Sequence, residues 1–182
     1  MIRSNTTSKP LLLDKNYFLI GFMGPGKSHW GKLWAAANKL TFVDLDELIE
    51  KEEDSTIAEI FDTKGEDYFR KIEKELLRKS GELINTLIAC GGGTPCFFDN
   101  MQWMNDHGIT IYIQSRPVEI LDRVMEEKEK LPLLKKLNEE ELLFYIEQKL
   151  KEREPFYSQA KIKVESDSLD ENSFAKIVSD IL

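Results

Sequence analysis

The chain has 182 residues, of which 41% are hydrophobic and 32% charged, and its net charge is −8. These values fit one globular domain with a core large enough to fold without disulfides or metal. They argue against long nucleic acid as a partner, because its binding depends on clustered Lys and Arg. No stretch approaches the ~20 apolar residues of a membrane span, so no membrane partner is expected either.

Residues 1–15 are predicted to form a flexible N-terminal extension. Their longest apolar run is three leucines, whereas a signal peptide needs about 7–15 apolar residues, so a cytoplasmic protein is expected. The two cysteines, Cys90 and Cys96, have no histidine at ligand spacing, which indicates two reduced thiols rather than a zinc site.

Beyond the extension, short apolar runs alternate with amphipathic or charged segments. In chain order they predict a strand at 17–20, a helix at 27–37, a strand at 41–43, helices at 46–53, 57–61 and 66–79, a strand at 86–89, a helix at 100–106, a strand at 109–113, a helix from Pro117 toward 129, a helix at 139–153 that stops before Pro155, a strand at 162–164 and a helix at 170–181. Strands separated by helices imply a parallel sheet and an α/β fold. Ligands bind such sheets at the carboxyl ends of the strands, so the loops after Ile20, Val43 and Ala89 are predicted to surround one crevice.

The first of these loops reads GFMGPGKS over residues 21–28 and matches the phosphate-loop pattern G-x-x-x-x-G-K-[ST]. Its glycines let backbone N–H groups surround a phosphate, and the following helix N-terminus adds partial positive charge. Lys27 can reach the outer phosphates of ATP, and the Ser28 hydroxyl is a hard ligand for Mg²⁺. A glycine-rich turn before a core helix is the alternative, and the strand–loop–helix context disfavours it. The predicted ATP-binding residues here are Gly24, Pro25, Gly26, Lys27, Ser28 and His29.

His29, next to the phosphate loop, and two tryptophans on the helix that follows are unusual residues for this motif. His29 could contact a phosphate through its ring, but we favour a role for its backbone N–H alone, because amides surround the phosphate. Trp30 and Trp34 lie four residues apart on the predicted helix and are expected to pack in the core rather than to bind the nucleotide base.

A GTPase is the first alternative for a phosphate-loop protein. Residues 38–41 read NKLT and lack the aspartate of the guanine-reading N-K-x-D motif. Residues 62–65 read DTKG and imitate D-x-x-G, but they follow a predicted helix rather than a strand. Neither segment supports a GTPase.

Several further residues near the crevice permit two interpretations each. Asp44 could hold Mg²⁺ and Asp46 could accept the proton of an attacking hydroxyl, or the pair could be a helix N-cap and a solvated acid. Arg70 and Arg153 could grip a carboxylate bidentately, or form surface ion pairs. The triplet at 91–93 could bring its backbone close to a ligand, or be a loose turn.

The chain resembles the shikimate kinase family over about residues 17–164. The similarity lies in the order and spacing of FVDLD at 42–46 with Ile49 and Glu50, IAEIF at 57–61, Gly65-Glu66, Phe69-Arg70 with Glu73, GGG at 91–93 and REPFY at 153–157. The resemblance implies transfer of phosphate from ATP to shikimate, giving shikimate 3-phosphate in chorismate and aromatic amino-acid biosynthesis. It also implies a P-loop NTPase-like three-layer fold, with a five-stranded parallel sheet, helices on both faces and a mobile lid.

Domain organisation and site roles follow from the same resemblance. Residues 16–182 would form a single kinase domain, expected to be a monomer, with a substrate-binding helical segment at about 46–79 and a lid at about 126–138. Lys27 and Asp46 would be catalytic, and Mg²⁺ would be bound by Ser28 and Asp44. The shikimate site would comprise Asp46, Phe61, Phe69, Arg70, Gly91, Gly92, Gly93 and Arg153, with Glu73 supporting Arg70. Arg123 resembles the family arginine that lies against adenine, at approximate spacing.

One departure from the family concerns the lid. The family carries Arg-Pro-Leu-Leu there, and its arginine meets the ATP phosphates, whereas residues 131–134 here read LPLL. Leu131 therefore occupies the arginine position, and Lys130 is the nearest substitute. Two alternatives stay open: a gluconate-type kinase, or a nucleotide- or metabolite-binding protein with weakened catalysis.

Overall fold

The computed structural model describes residues 15–24, 26–127 and 137–179. Its strands are β1 (Asn16–Ile20), β2 (Thr41–Asp44), β3 (Thr86–Ala89), β4 (Gly108–Gln114) and β5 (Ile162–Glu165). Its helices are α1 (Lys27–Asn38), α2 (Leu45–Glu53), α3 (Ile57–Lys64), α4 (Glu66–Gly81), α5 (Asn100–His107), α6 (Pro117–Glu127), α7 (Glu139–Tyr157) and α8 (Ser173–Ser179). Short 3₁₀ turns follow β3 and β5, at Thr94–Cys96 and Ser166–Ser168.

The five strands form one parallel sheet in the order β2-β3-β1-β4-β5. The central strand β1 is fully buried, and its side chains alternate between two cores as the pleat requires. Phe18 and Ile20 pack with α2, α3, α4 and α5, while Tyr17 and Leu19 pack with α1 and α8. This arrangement confirms the predicted five-stranded parallel sheet with helices on both faces.

A third apolar cluster joins α6 to α7 beside the phosphate loop. Phe22 of that loop packs there with Ile120, Val124, Leu142 and Ile146. The contact attaches the α6–α7 pair to the end of the sheet where β1 stops.

Side-chain caps explain where three helices begin. Asp44 caps α2 by accepting hydrogen bonds from the backbone N–H groups of Asp46 and Glu47. Thr56 with Glu59 forms a capping box at α3, and Asn138 forms another with Glu141 at α7.

The predicted end of α7 before Pro155 is wrong. The helix continues through Pro155 to Tyr157, although a proline inside a helix removes one hydrogen bond and crowds the carbonyl four residues earlier. The buried side chain of Tyr157 packs in the core on the face of the sheet that α2, α3, α4 and α5 cover, and this packing favours the extra turn.

Other helix boundaries differ by smaller amounts. Helix α8 begins at Ser173 instead of 170, because Asp170 hydrogen-bonds Ser173 and Asn172 in a turn before the helix. Helix α3 runs three residues past the prediction and contains 62–64 of the DTKG segment, which agrees with setting that motif aside. Trp34 is fully buried, as predicted for a core residue.

Several predictions fall outside the described residues: the extension at 1–14, Pro25, and most of the lid, including Lys130 and Leu131. Within the described ranges, none of the helices is long and apolar enough to cross a membrane.

Candidate active site

A cleft of about 530 Å³ opens at the carboxyl ends of β1, β2 and β3. It is the crevice predicted from the alternation of strands and helices, because parallel strands place their C-terminal loops at one edge of the sheet. The cleft is lined by the phosphate loop, the acidic pair after β2, the start of the glycine triplet and part of α6: Met23, Gly24, Gly26, Lys27, Ser28, His29, Asp44, Asp46, Ala89, Cys90, Gly91, Gly92, Arg123, Val124 and Glu126.

The phosphate loop holds its lysine against its own backbone. The Lys27 ammonium donates to the carbonyls of Gly21 and Phe22, at 3.0 and 2.5 Å. Burial lowers the pKa of Lys27 to about 8, an effect that the nearby Asp46 carboxylate opposes. Gly26 precedes α1 with φ of 85°, a left-handed conformation that favours glycine. The loop therefore presents a cation and a helix N-terminus to the cleft.

Ser28 and Asp44 form the oxygen pair that was predicted to bind metal. The Ser28 hydroxyl donates to Asp44 Oδ2 at 2.5 Å, while Asp44 Oδ1 caps α2. Among the described residues no group of three or more His, Cys, Asp or Glu could hold a metal by itself. A hydroxyl and one carboxylate nevertheless fit Mg²⁺, which commonly takes one or two protein oxygens and completes its shell with water and phosphate. The N-cap interpretation of Asp44 is confirmed, and it is compatible with a metal-binding role because the other oxygen, Oδ2, is the one that meets Ser28.

Asp46 lies in the first turn of α2, largely shielded from water. Burial, with the neighbouring carboxylates of Asp44 and Glu73, raises the pKa of Asp46 to about 6 from its ordinary 3.8. The positive charges of Lys27 and Arg70 oppose this rise. A carboxylate with a pKa near 6 is ionised at neutral pH and still basic enough to accept a proton.

Arg70 is buried and held by two carboxylates of its own helix. Its guanidinium donates to Glu73 at 2.9 Å through Nη1, and to Glu66 at 3.2 and 3.1 Å through Nε and Nη2. Glu73 is completely buried, and its other oxygen accepts a hydrogen bond from the Thr94 hydroxyl at 2.6 Å. Arg70 therefore does form ion pairs, but the pair with Glu73 is buried and not on the surface, so the guanidinium is shielded and fixed in direction.

The glycine triplet lies directly against three candidate site residues. A Cβ at Gly93 would come within 2.7 Å of Arg70 Nη2, so a side chain there would displace the guanidinium. A Cβ at Gly91 would lie 2.8 Å from Asp46 Oδ1, and one at Gly92 would lie 3.2 Å from Arg153 Nη1. The triplet is thus a close-approach segment and not a loose turn.

Arg153 meets the triplet at Gly92, whereas Arg70 meets it at Gly93. It projects from the last turns of α7, and its Cζ lies 5.1 Å from the ring centroid of Phe22. Among the described residues, neither arginine lines the phosphate cleft itself. Arg153 lies against Gly92, which lines the cleft, and Arg70 lies against Gly93, the next residue of the triplet.

The two predicted wall residues, Phe61 and Phe69, pack on each other with ring centroids 4.7 Å apart. Arg70 Cζ lies 5.9 and 4.9 Å from their rings. They border the guanidinium side of the site and lie outside the phosphate cleft.

Two predicted nucleotide-binding residues lie on the solvent side of the cleft. His29 is exposed, and its ring meets that of Trp30 edge-on at 5.0 Å. Arg123 of α6 donates to the carbonyl of Gly24 at 2.5 Å, which joins α6 to the phosphate loop.

Sequence reasoning gave no role to three residues that contact this site. The ring of Phe97 lies 4.0 Å from Arg70 Cζ, nearer than either wall phenylalanine. Thr94 links Glu73 to the glycine segment, and Tyr157 donates a hydrogen bond to the Gly92 carbonyl. For Tyr157, one sequence feature pointed to the site, namely its position at the end of the REPFY segment. The other two contacts depend on how the loop after β3 folds back on α4.

The sheet order, the phosphate loop and the oxygen pair beside it define a P-loop nucleotide-binding protein of the α/β class. The sequence model for the family described as Shikimate kinase matches residues 23–182. The chain is 42% identical to a shikimate kinase of Phocaeicola vulgatus, over 85% of this chain and 88% of that protein. The chain therefore belongs to the shikimate kinase family.

Solved structures agree with this assignment. A shikimate kinase of Bacteroides thetaiotaomicron is similar with a TM-score of 0.85 and 35% identity, covering 92% of this chain and 97% of that one. A shikimate kinase of Acinetobacter baumannii, in complex with shikimate, is similar with a TM-score of 0.80 and 30% identity, covering 92% and 95%.

Proposed function

We propose that this protein transfers the γ-phosphoryl group of ATP to the 3-hydroxyl of shikimate, giving ADP and shikimate 3-phosphate. The observation that carries the proposal is the position of Asp46, in one cleft with Lys27 of the phosphate loop and in contact with the glycine triplet. A proton acceptor between a phosphate-binding loop and a carboxylate-binding segment suits transfer to the hydroxyl of an acidic substrate.

Binding of the two substrates is assigned to separate groups. The amides of the phosphate loop, Lys27 and the N-terminus of α1 bind the phosphates, and Arg123 contributes at the adenine end. Arg70 and Arg153, which lie against Gly93 and Gly92, bind the shikimate carboxylate, because paired guanidiniums suit the two oxygens of that group. Glu66 and Glu73 keep Arg70 in place for this contact.

In the reaction the shikimate hydroxyl oxygen forms a bond to the γ-phosphorus, and the bond from that phosphorus to the ADP oxygen breaks. Asp46 accepts the hydroxyl proton, and Lys27 stabilises charge that develops on the phosphoryl oxygens. Ser28 and Asp44 are the residues that would hold Mg²⁺, which when bound neutralises charge on the phosphates. The raised pKa of Asp46 makes its carboxylate a stronger base than an exposed aspartate.

A coupled assay for ADP release tests the proposal. We expect Mg²⁺-dependent release that requires both ATP and shikimate, and much slower release with quinate or gluconate. The matched control is Lys27→Ala, which should abolish turnover with every acceptor. Equal or greater turnover with gluconate would overturn the substrate assignment. ATP binding without turnover of any of the three acceptors would favour a binding protein.

A further inference from the structure

The glycine triplet is held from behind by a residue that lies outside the cleft. The hydroxyl of Tyr157 donates a hydrogen bond to the carbonyl of Gly92 at 2.5 Å. Tyr157 is fully buried and is the last residue of α7, 65 positions away from its partner in the chain. Burial raises the pKa of its hydroxyl well above the ordinary value, so the group stays a donor.

This hydrogen bond helps to fix the orientation of the Gly92 backbone. The peptide that carries the Gly92 N–H also carries the Gly91 carbonyl, which accepts a hydrogen bond from Thr94 N at 3.1 Å. The next peptide carries the Gly92 carbonyl, which Tyr157 holds. Both peptides that flank Gly92 are therefore anchored, although glycine is the residue type with the most permissive backbone.

The same stretch of α7 carries Arg153, four residues before Tyr157 and on the same face of the helix. A Cβ at Gly92 would lie 3.2 Å from Arg153 Nη1, so the guanidinium and the glycine backbone are immediate neighbours. Tyr157 thus connects the helix that carries one carboxylate-binding group to the loop that carries another.

We propose that Tyr157 is a positioning residue that sets the Gly92 amide against the Arg153 guanidinium and thereby controls affinity for the substrate carboxylate. The substrate part of this inference rests on the proposed function. Tyr157 does not line the cleft that holds Lys27 and Asp46, so its effect should fall on binding of the acid and spare the chemical step.

The test is Tyr157→Phe, which keeps the ring and removes the hydroxyl. Tyr112→Phe is the matched control, since the Tyr112 ring packs on Tyr157 at 4.9 Å while its hydroxyl donates to Glu154 and not to the loop. We expect Tyr157→Phe to raise the KM for shikimate about tenfold, as the loss of one buried hydrogen bond predicts. The kcat at saturating shikimate and the KM for ATP should stay within about twofold, and Tyr112→Phe should match the parent.

Amide hydrogen exchange of the peptide that spans 91–93 gives a second readout that needs no substrate. Exchange there should increase in Tyr157→Phe and stay at the parental level in Tyr112→Phe. An unchanged KM for shikimate, equal effects in both variants, or unchanged exchange would overturn the inference. A parent enzyme without shikimate turnover would instead overturn the proposed function and the substrate part of this inference, and the exchange comparison would still judge the role of Tyr157 in the loop.

Discussion

Asp46 is where burial alters the chemistry of the site most directly. Burial and, secondly, two neighbouring carboxylates raise its pKa to about 6, while Lys27 and Arg70 keep it from rising further. The same carboxylate is thus assigned a catalytic role and placed in an environment that disfavours its charge. Both consequences can be measured with one substitution.

Asp46→Asn should reduce turnover far more than it weakens ATP binding. Asparagine keeps the shape of the side chain but cannot accept the hydroxyl proton, and loss of a general base typically costs about 10²–10⁴ in rate. The measurement is kcat from ADP release, with the Kd for ATP as the internal control. A kcat within a few-fold of the parent would leave Asp46 a structural residue of the first turn of α2.

The parent's kcat/KM for shikimate should fall as the pH drops through about 6, because the free enzyme then carries a protonated Asp46.

Ionisation of Asp46, which the reaction needs, should lower the stability of the folded protein. The folded pKa lies above the ordinary 3.8, so ionisation of Asp46 destabilises the fold above about pH 6, and this cost disappears below about pH 4. Asp46→Asn should therefore be more stable than the parent at pH 7.5, by roughly 1–3 kcal/mol in denaturant titrations, with little difference at pH 4. Equal stability at both pH values would contradict the raised pKa.

Arg70→Ala and Arg153→Ala should each raise the KM for shikimate and leave the KM for ATP nearly unchanged. Truncation of one partner of a shielded charge pair costs roughly 2–5 kcal/mol. Lys149→Ala is a control on the same helix as Arg153, since Lys149 pairs with the exposed Glu152, and surface pairs contribute about 0–1 kcal/mol. Parental shikimate kinetics in both arginine variants would remove them from the substrate site.

Helix α7 shows how one element serves both stability and the site. It starts at the Asn138 capping box and packs on α6 through Leu142 and Ile146. It then passes through Pro155 to deliver Tyr157 to the core. A helix that ended before the proline would carry Arg153 but would leave the Gly92 carbonyl without its donor.

Pro155→Ala should stabilise the fold, because alanine restores the missing backbone N–H and removes the ring that crowds the preceding turn. The gain is partly offset by the greater freedom of the unfolded chain, which leaves about 1–2 kcal/mol. That corresponds to a rise in Tm of about 2–8 °C for a chain of this size, measurable by far-UV circular dichroism. Pro117→Ala is the control, since proline is well tolerated at the first residue of α6. A lower Tm for Pro155→Ala would mean that the ring itself contributes packing.

Across the chain as a whole, the acidic balance makes local cations important for a reaction between two anions. Lys27, Arg70, Arg123 and Arg153 supply positive charge from four separate elements. The family's lid arginine would be a further cation, and the chain has Leu131 in that position, outside the described residues. The charge at the lid must then come from a lysine or be absent.

Leu131→Arg should raise kcat and Lys130→Ala should lower it, if the lid contributes charge to phosphoryl transfer. An added arginine is worth about 10³–10⁵ in GTP hydrolysis, and we expect a smaller gain of about tenfold here, since on this hypothesis Lys130 already supplies a point charge to the phosphates. Leu133→Arg, which adds the same charge two residues further on, should not reproduce the gain. No change in kcat in either test variant would show that the lid carries no catalytic charge.

Local pattern was sufficient for much of the fold and for the phosphate loop. The five strands were predicted within one residue at each end. The central strands β1, β3 and β4 are buried and are therefore short continuous apolar runs, which makes them easy to recognise. The phosphate loop has a fixed spacing because backbone geometry around a phosphate requires it. The family resemblance, confirmed by the comparisons, rests on segments in a conserved order that can be recognised without knowing how they meet.

Contacts between distant segments set the remaining features. Helix α7 continues past Pro155 because the core accepts Tyr157, and the burial gained there competes with the local cost of the proline. Phe97 covers Arg70, and Tyr157 holds Gly92, across 65 positions in the latter case. The raised pKa of Asp46 likewise arises from its burial in the packed site and, secondly, from carboxylates on β2 and α4. Desolvation and charge depend on distances in space, and these distances exist only once the helices have packed on the sheet.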